Sequence, residues 1–186
     1  MNIEKGNSLQ QQDALVKRYG KDETSKLGPW NDAISLLLSH KSVRSYKPDA
    51  LPEDTLETLL AAAQSAATSS NLQLWSVIAI TDPDKKIELA KVAGNQKHIE
   101  QCPLFLVWLA DLSRNQRMGK EEAVEMEVMP FVETFLVAAI DAALAAQNAV
   151  VAAESLDLST VYIGAMRNDP KRVAELLELP SEVFGV

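Results

Sequence analysis

Residues 132–155 read VETFLVAAIDAALAAQNAVVAAES, and the reading of this stretch decides the fold. It predicts the longest helix of the chain, Val132 to Ser155. From Phe135 to Ala153 almost every residue is apolar, the exceptions being Asp141, Gln147 and Asn148. A helix with apolar residues on most sides must be covered on most sides. The expected covers are its own sheet on one side and a second subunit on the other.

Working outward, two strands precede it. Trp75 to Thr81 has the β-branched content of a buried strand, and Leu104 to Ala110, ending at Asp111, reads as a second interior strand. Between them Asp82-Pro83 caps a helix from Asp84 to Val92, Gly94-Asn95 breaks the chain, and a short helical piece runs through Gln96 to Ile99. Further upstream, Asn31 or Asp32 can cap a helix ending near Ser39, in which Ile34, Leu37 and Leu38 recur at helical spacing. Another starts around Pro52-Glu53-Asp54, runs through Leu56, Leu59, Leu60 and Ala63, and gives out at Thr68-Ser69-Ser70-Asn71. Downstream, Thr160 to Ile163 is expected as a third strand, Asp169-Pro170 caps a helix, and Val183 to Val186 looks like the opening of another strand. Strands interleaved with helices make an α+β or α/β single domain, residues 30–186, with its sheet sandwiched between helices. Residues 1–29 are expected as a polar N-terminal arm with an amphipathic stretch from Leu9 to Tyr19, closed by the breaker cluster Lys26-Leu27-Gly28-Pro29.

A length of 186 residues with 47% apolar and 24% charged content suits one domain with a proper core. Lys and Arg number 18 against 26 Asp and Glu, and the resulting net charge of −8 disfavours nucleic acid as a partner. Any anion site must therefore be local. Cys102 is the only cysteine, so no internal disulfide forms, and its place at the start of a strand-like run marks it as a buried apolar residue rather than a nucleophile. With only His40 and His98 beside it, neither a metal site nor a Cys-His nucleophile is expected. No stretch approaches the roughly 20 uninterrupted apolar residues that span a bilayer, and Met1 to Gly6 has no apolar run of a secretory signal. The chain is read as cytoplasmic, with no membrane partner.

Residues 40–46, His40-Lys41-Ser42-Val43-Arg44-Ser45-Tyr46, place three potential cations and a hydroxyl between a helix and the extended Lys47-Pro48. Arg offers a planar fork of donors for phosphate oxygens, Lys a point charge and Ser a hydrogen bond, so the stretch can surround one phosphate without a Gly-rich loop. Alone, it reads equally as cations gathered at a helix C-terminus, where they complement the dipole.

Taken together, His40-Lys41-Ser42-Val43-Arg44, Gly94-Asn95-Gln96-Lys97-His98 and Val161-Tyr162-Ile163-Gly164-Ala165-Met166-Arg167-Asn168 resemble, in order and spacing, the FMN-dependent nitroreductase superfamily. The branch they resemble is that of NADPH-using, oxygen-insensitive nitroreductases and flavin reductases. The run from Ala146 to Leu156 is similar to the long dimer helix of that family. The resemblance implies a three-layer sandwich, a homodimer, FMN as cofactor and NADPH as electron donor. FMN would take a hydride and pass two electrons to small planar acceptors: nitroaromatics, quinones or free flavin. It makes His40, Lys41, Ser42 and Arg44 the holders of the FMN phosphate, although the family's usual residue at position 41 is Arg. Thr68, Ser69 and Ser70, with Gln73, match a loop that approaches the flavin in part from the partner subunit; the residues alone read as a helix terminator. Gln96 matches an amide at the isoalloxazine edge, and would otherwise be an ordinary cap.

Tyr162, Ile163, Gly164 and Ala165 match the loop whose backbone lies against the redox side of the ring, where residues without large side chains let the ring come close. The family commonly has Gly in place of Ala165. Arg167 reads first as an ion-pair partner of Asp169, and otherwise as a contact for a nicotinamide phosphate. No catalytic side chain is required, because the cofactor carries the redox chemistry. Family members are expected to continue beyond Phe184-Gly185 into an arm with a Lys-x-Arg pair and residues that favour NADPH, and this chain lacks that C-terminal arm. The alternative is therefore a non-catalytic flavin-binding protein, or a truncated inactive one.

Overall fold

Strand β2, Phe105–Asp111, is the middle of a three-stranded sheet in the computed structural model, which describes residues 8–21, 25 and 27–186. Strand β1, Trp75–Ile80, runs antiparallel to it, from Trp75 opposite Ala110 to Ile80 opposite Phe105. On the other side β3, Val183–Gly185, is also antiparallel, with Val183 opposite Asp111 and Gly185 opposite Leu109. Nearly all of β2 is buried, which is why it reads as a continuous apolar run rather than an alternating one.

Side chains still alternate between faces, and each face has its own cover. Phe105, Val107 and Leu109 pack with Leu89 and Ala90 of helix α4 (Pro83–Val92), Ile99 of α5 (Lys97–Gln101) and Val173 of α8 (Pro170–Leu176). Trp108 and Leu106 face the opposite way, onto Leu59 and Ala63 of α3 (Thr55–Gln64) and onto Ala145, Ala146, Ala149 and Ala153 of α7 (Val132–Ser155). The result is the sandwich expected from the sequence. The alanines let the α7 backbone approach both the sheet and α3 closely, and Trp75 and Trp108 fill the remaining space with ring centroids 5.8 Å apart. The far side of α7 has no cover among the described residues: Val132, Leu136, Ile140 and Leu144, four residues apart, are exposed, as is Phe135 beside them.

By length and mean hydropathy (1.7), α7 would be able to cross a bilayer. Its buried side is instead occupied by α3 and the sheet.

The helix starts follow from local chemistry. Asn31 Oδ1 accepts the Ile34 N–H at 3.0 Å to open α2 (Asp32–Ser39), Asp82 Oδ1 accepts the Lys85 N–H at 2.8 Å with Pro83 following, and Asp169 Oδ1 accepts the Arg172 N–H at 3.0 Å with Pro170 following. Each satisfies a donor that the first helical turn leaves unpaired. Helix α6, Ser113–Glu121, was not anticipated; it begins where Asp111 Oδ1 accepts from Ser113 Oγ at 2.7 Å. The expected third strand, Thr160 to Ile163, is corrected. Thr160 makes a single parallel bridge to Ser42 outside the sheet, and the chain turns into a 3-10 helix, Gly164–Asn168. Both edges of β2 are already taken by β1 and β3, so this segment pairs with the 40–44 turn instead.

In the N-terminal arm, α1 (Ser8–Tyr19) packs on α2, with Leu15 buried. Met1 to Gly6, read for a secretory signal, and Lys26 of the breaker cluster lie outside the described residues.

Candidate functional site

The cationic turn leaves α2 and is tied down at one point: the Val43 N–H donates to the Thr160 carbonyl at 2.9 Å, beside the Ser42–Thr160 bridge. This places Ser42 and Val43 beside Thr160, the residue just before the 161–168 stretch that the sequence singled out. Lys41, Ser42 and Arg44 are exposed, and neither cation has a carboxylate partner among the described residues. His40 is engaged differently. Its Nδ1 lies 2.5 Å from Glu154 Oε1 on α7, and its carbonyl accepts from Arg18 Nη1 at 2.6 Å. The imidazole is thus pinned to the long helix rather than turned out with Lys41 and Arg44.

Behind the turn, Arg44 acts electrostatically on His98 and Tyr46. Burial, and then the Arg44 charge, push the His98 imidazole below its ordinary value; burial, and then Cys102, push the Tyr46 phenol up. Cys102 is buried, its thiol donates to the Ile99 carbonyl at 3.2 Å, and burial raises its pKa, as suits an inert core residue. A cavity of about 480 Å³ opens between Tyr46, His98, the β2 residues Phe105 and Val107, and Tyr162-Ile163. It follows β2 past the last bond of the β3 side, Val186 N–H to the Trp108 carbonyl at 3.1 Å. His98 Nε2 and Thr160 Oγ1 are buried there without hydrogen-bond partners among the described residues. Of the expected flavin contacts only Tyr162 and Ile163 line it.

Tyr162 donates to Gln147 Oε1 of α7 at 3.4 Å. Burial of its hydroxyl, with the Glu154 charge nearby, pushes its pKa up to about 12. The folded state therefore favours the neutral phenol, a contribution present below the ordinary pKa near 10 and lost as pH rises through about 12. Because the residue is 53% exposed, solvent screening keeps that contribution small. In an ultraviolet pH titration, Tyr162→Phe should remove the phenolate that forms near pH 12; persistence of that step would mean the assignment is wrong.

Ile163 and Ala165 are half-buried against the core, and Gly164 opens the 3-10 helix. Arg167 does not pair with Asp169, whose carboxylate caps α8. Its guanidinium folds over Gly164, 2.8 Å from where a Cβ would stand, so a side chain at 164 would displace it.

The hydroxyl loop lies elsewhere. Thr68 precedes a 3-10 turn, Ser69–Asn71, and Ser70, Asn71 and Gln73 take φ values of 50, 54 and 53°. The Gln73 amide donates to Asn71 Oδ1 at 3.0 Å and accepts from Trp75 Nε1 at 3.3 Å. Arg114 of α6 donates to the carbonyls of Gln73 and Trp75, and Asn115 to that of Leu72 at 3.1 Å. Asp141 of α7 accepts the Ser69 N–H at 3.0 Å and faces the Leu74 N–H at 3.4 Å. Asp141 and Glu154 are 13 residues apart on one helix, so this loop and His40 are held about 20 Å apart along α7. One chain brings together His40, Lys41, Ser42, Arg44, Tyr162 and Ile163, but not Thr68, Ser69, Ser70 and Gln73. Gln96 opens α5 with its amide on the Ala93 carbonyl at 2.9 Å, two residues before His98.

Sequence reasoning missed Glu154, Arg114 and Asn115, which hold these segments from behind. The available signal for Glu154 was a charge closing the apolar helix; Arg114 and Asn115, on the polar α6, carried none.

The Nitroreductase family profile matches residues 37–186. An FMN reductase (NADPH) of Bacillus subtilis is 43% identical over 155 residues, covering 83% of this chain. The chain spans 62% of that relative's length. The solved structure of the NfrA1 nitroreductase from B. subtilis superposes with a TM-score of 0.81 at 42% identity, covering 83% of this chain and 63% of that one. The NADPH:FMN oxidoreductase of Vibrio harveyi, solved in complex with NAD+, superposes with a TM-score of 0.78 at 36% identity over 84% of this chain and 66% of that one.

Proposed function

This chain belongs to the Nitroreductase family, and from that premise we propose that it is part of a homodimeric flavoprotein that oxidises NADPH through FMN and reduces small planar acceptors such as quinones, nitroaromatics or free flavin. The observation that carries the reading is the pair of exposed cations Lys41 and Arg44, without carboxylate partners among the described residues, with Ser42 between them, on a turn tied to Thr160, two residues before Tyr162. In a chain of net charge −8, two cations left without carboxylates form a local anion site that fits a phosphate monoester. Arg44 supplies the fork, Lys41 the point charge and Ser42 a hydroxyl donor. The turn running from Tyr162 to Ala165 stands beside it, where backbone groups can meet a planar ring at close range.

FMN, when bound, would supply the two-electron redox chemistry. The chain's part is to grip the phosphate, to support the ring with the Tyr162–Ala165 backbone, and to leave a ring face open to donor and acceptor in turn. The bare outer face of α7 and the 20 Å scale separation of the hydroxyl loop from the cationic turn both favour a site shared between two copies, in which Thr68, Ser69, Ser70 and Gln73 of one subunit approach the flavin held by the other. Gln96 opens α5 two residues before His98, on whose imidazole the Arg44 charge acts, and is the candidate for the ring edge. We place the protein in the cytoplasm, where the single buried Cys102 needs no oxidising surroundings.

Arg44→Ala is the direct test. Loss of one charge-assisted contact should weaken FMN binding by roughly 1.5–3 kcal/mol, about tenfold or more in Kd, as read by quenching of flavin fluorescence. NADPH oxidation with a quinone acceptor should fall in parallel at subsaturating FMN. Unchanged FMN affinity would remove the phosphate role from this turn.

A further inference from the structure

Four polar side chains interrupt the apolar run of α7 or close it, and each reaches a different segment around the candidate site. Asp141 meets the Ser69–Leu74 loop, Gln147 meets Tyr162, Asn148 donates to the Ala62 carbonyl at the end of α3, and Glu154 meets His40. Asp141 is the most demanding of these. Only 1% of it is exposed, yet no cation neutralises it among the described residues; both carboxylate oxygens are directed at backbone N–H groups. A buried carboxylate is costly unless donors converge on it, so the loop and the side chain fix each other.

What the carboxylate holds is itself unfavourable. Ser70, Asn71 and Gln73 all sit in the left-handed region, at φ 50, 54 and 53°, a conformation that non-glycine residues keep only when their surroundings over-determine it. Relaxation of this loop would swing Thr68, Ser69 and Ser70 away from their present directions. An apolar residue at 141 would suffice to pack the helix; a carboxylate there is explained by the two amides.

We propose that Asp141 is a positioning residue for the flavin site: it clamps the Ser69 and Leu74 amides and so keeps the strained hydroxyl loop in the shape that meets the cofactor. This rests on the FMN reading given above. It adds a residue that does not touch the flavin and acts through the loop.

The test uses the whole purified protein and FMN as ligand. Asp141→Asn keeps size but leaves one acceptor oxygen for two donors. It should raise the Kd for FMN tenfold or more, and accelerate amide hydrogen exchange in residues 68–74 with little change elsewhere. Asn71→Gly in the same background relieves one left-handed residue and should recover part of the lost affinity, a rescue that general destabilisation would not give. Asp141→Ser, smaller and still an acceptor, carries the same expectation should Asp141→Asn not fold. Unchanged exchange across residues 68–74, or faster exchange with unaltered FMN affinity, would overturn the proposal. Arg44→Ala separates this from the reading beneath it. If Arg44→Ala weakens FMN binding and the Asp141 variants do not, only the clamp falls; if Arg44→Ala has no effect either, the flavin site itself is misplaced.

Discussion

Ile140→Asp is expected to turn the proposed homodimer into a monomer at micromolar concentration and to strip it of FMN. Ile140 is 56% exposed at the centre of a stripe with Val132, Leu136 and Leu144, and Phe131 and Phe135 widen it. Single exposed apolar residues are ordinary, but a contiguous stripe on one helix face marks an interface. In a twofold dimer the same patch meets itself, so one substitution introduces two charges. Each carboxylate would be buried against apolar surface without a partner, at several kcal/mol apiece. A total of at least about 4 kcal/mol corresponds to a rise of roughly a thousandfold in the dimer dissociation constant. Light scattering coupled to size-exclusion chromatography reads the mass directly, and an unchanged dimer mass would show that this face is not the interface. Cofactor loss should follow if the site is shared as proposed, because Thr68, Ser69 and Ser70 sit about 20 Å along α7 from His40.

The layers of the fold were legible because burial leaves its period in the sequence. Trp75 to Ile80, Phe105 to Asp111 and the whole of α7 fall within a residue of their expected limits, since continuous apolar runs with clear caps leave few other foldings. Thr160 to Ile163 misled for a related reason: β-branched residues announce an extended backbone but not a partner, and the available partner was Ser42 rather than a strand. Arg167 and Asp169 misled because proximity in sequence cannot tell an ion pair from a helix cap. In the site, residue types announced the cations, whereas the supports around them depend on contacts far apart in sequence, such as Asp141 to Ser69 and Glu154 to His40. Those contacts have no local signature beyond a polar residue placed where an apolar one would be cheaper. The hydroxyl loop shows the same limit: its composition predicts that a helix ends there, whereas α3 already ends at Gln64, and only the fold reveals that the loop beyond it holds three left-handed residues under a buried carboxylate.

Leu109→Ala should be the most damaging change that leaves the interface and the cationic turn untouched. Leu109 is 2% exposed in the middle strand, flanked by Ser76 on one side and Gly185 on the other, and it points into the layer that holds Leu89, Ile99 and Val173, away from α7. Its neighbours come from the sheet and from three helices, two of them anchored by capping side chains, so the site cannot readily collapse around a smaller side chain. A loss of about 2–5 kcal/mol is expected, toward the upper end because relaxation is restricted. Against a total of about 5–15 kcal/mol for a domain, that is a third or more of the folding free energy. Urea unfolding followed by far-ultraviolet circular dichroism should show a lower midpoint at an unchanged slope, and an undisturbed midpoint would mean that this layer is not packed as described. The variant also isolates stability from binding. FMN at about 100 times its Kd adds roughly 2.7 kcal/mol to any folded state that binds it, so saturating FMN should return much of the lost midpoint in Leu109→Ala. At that same FMN concentration Arg44→Ala, which folds normally but grips the phosphate poorly, should gain far less; equal gains would mean that Arg44 contributes nothing to holding the cofactor.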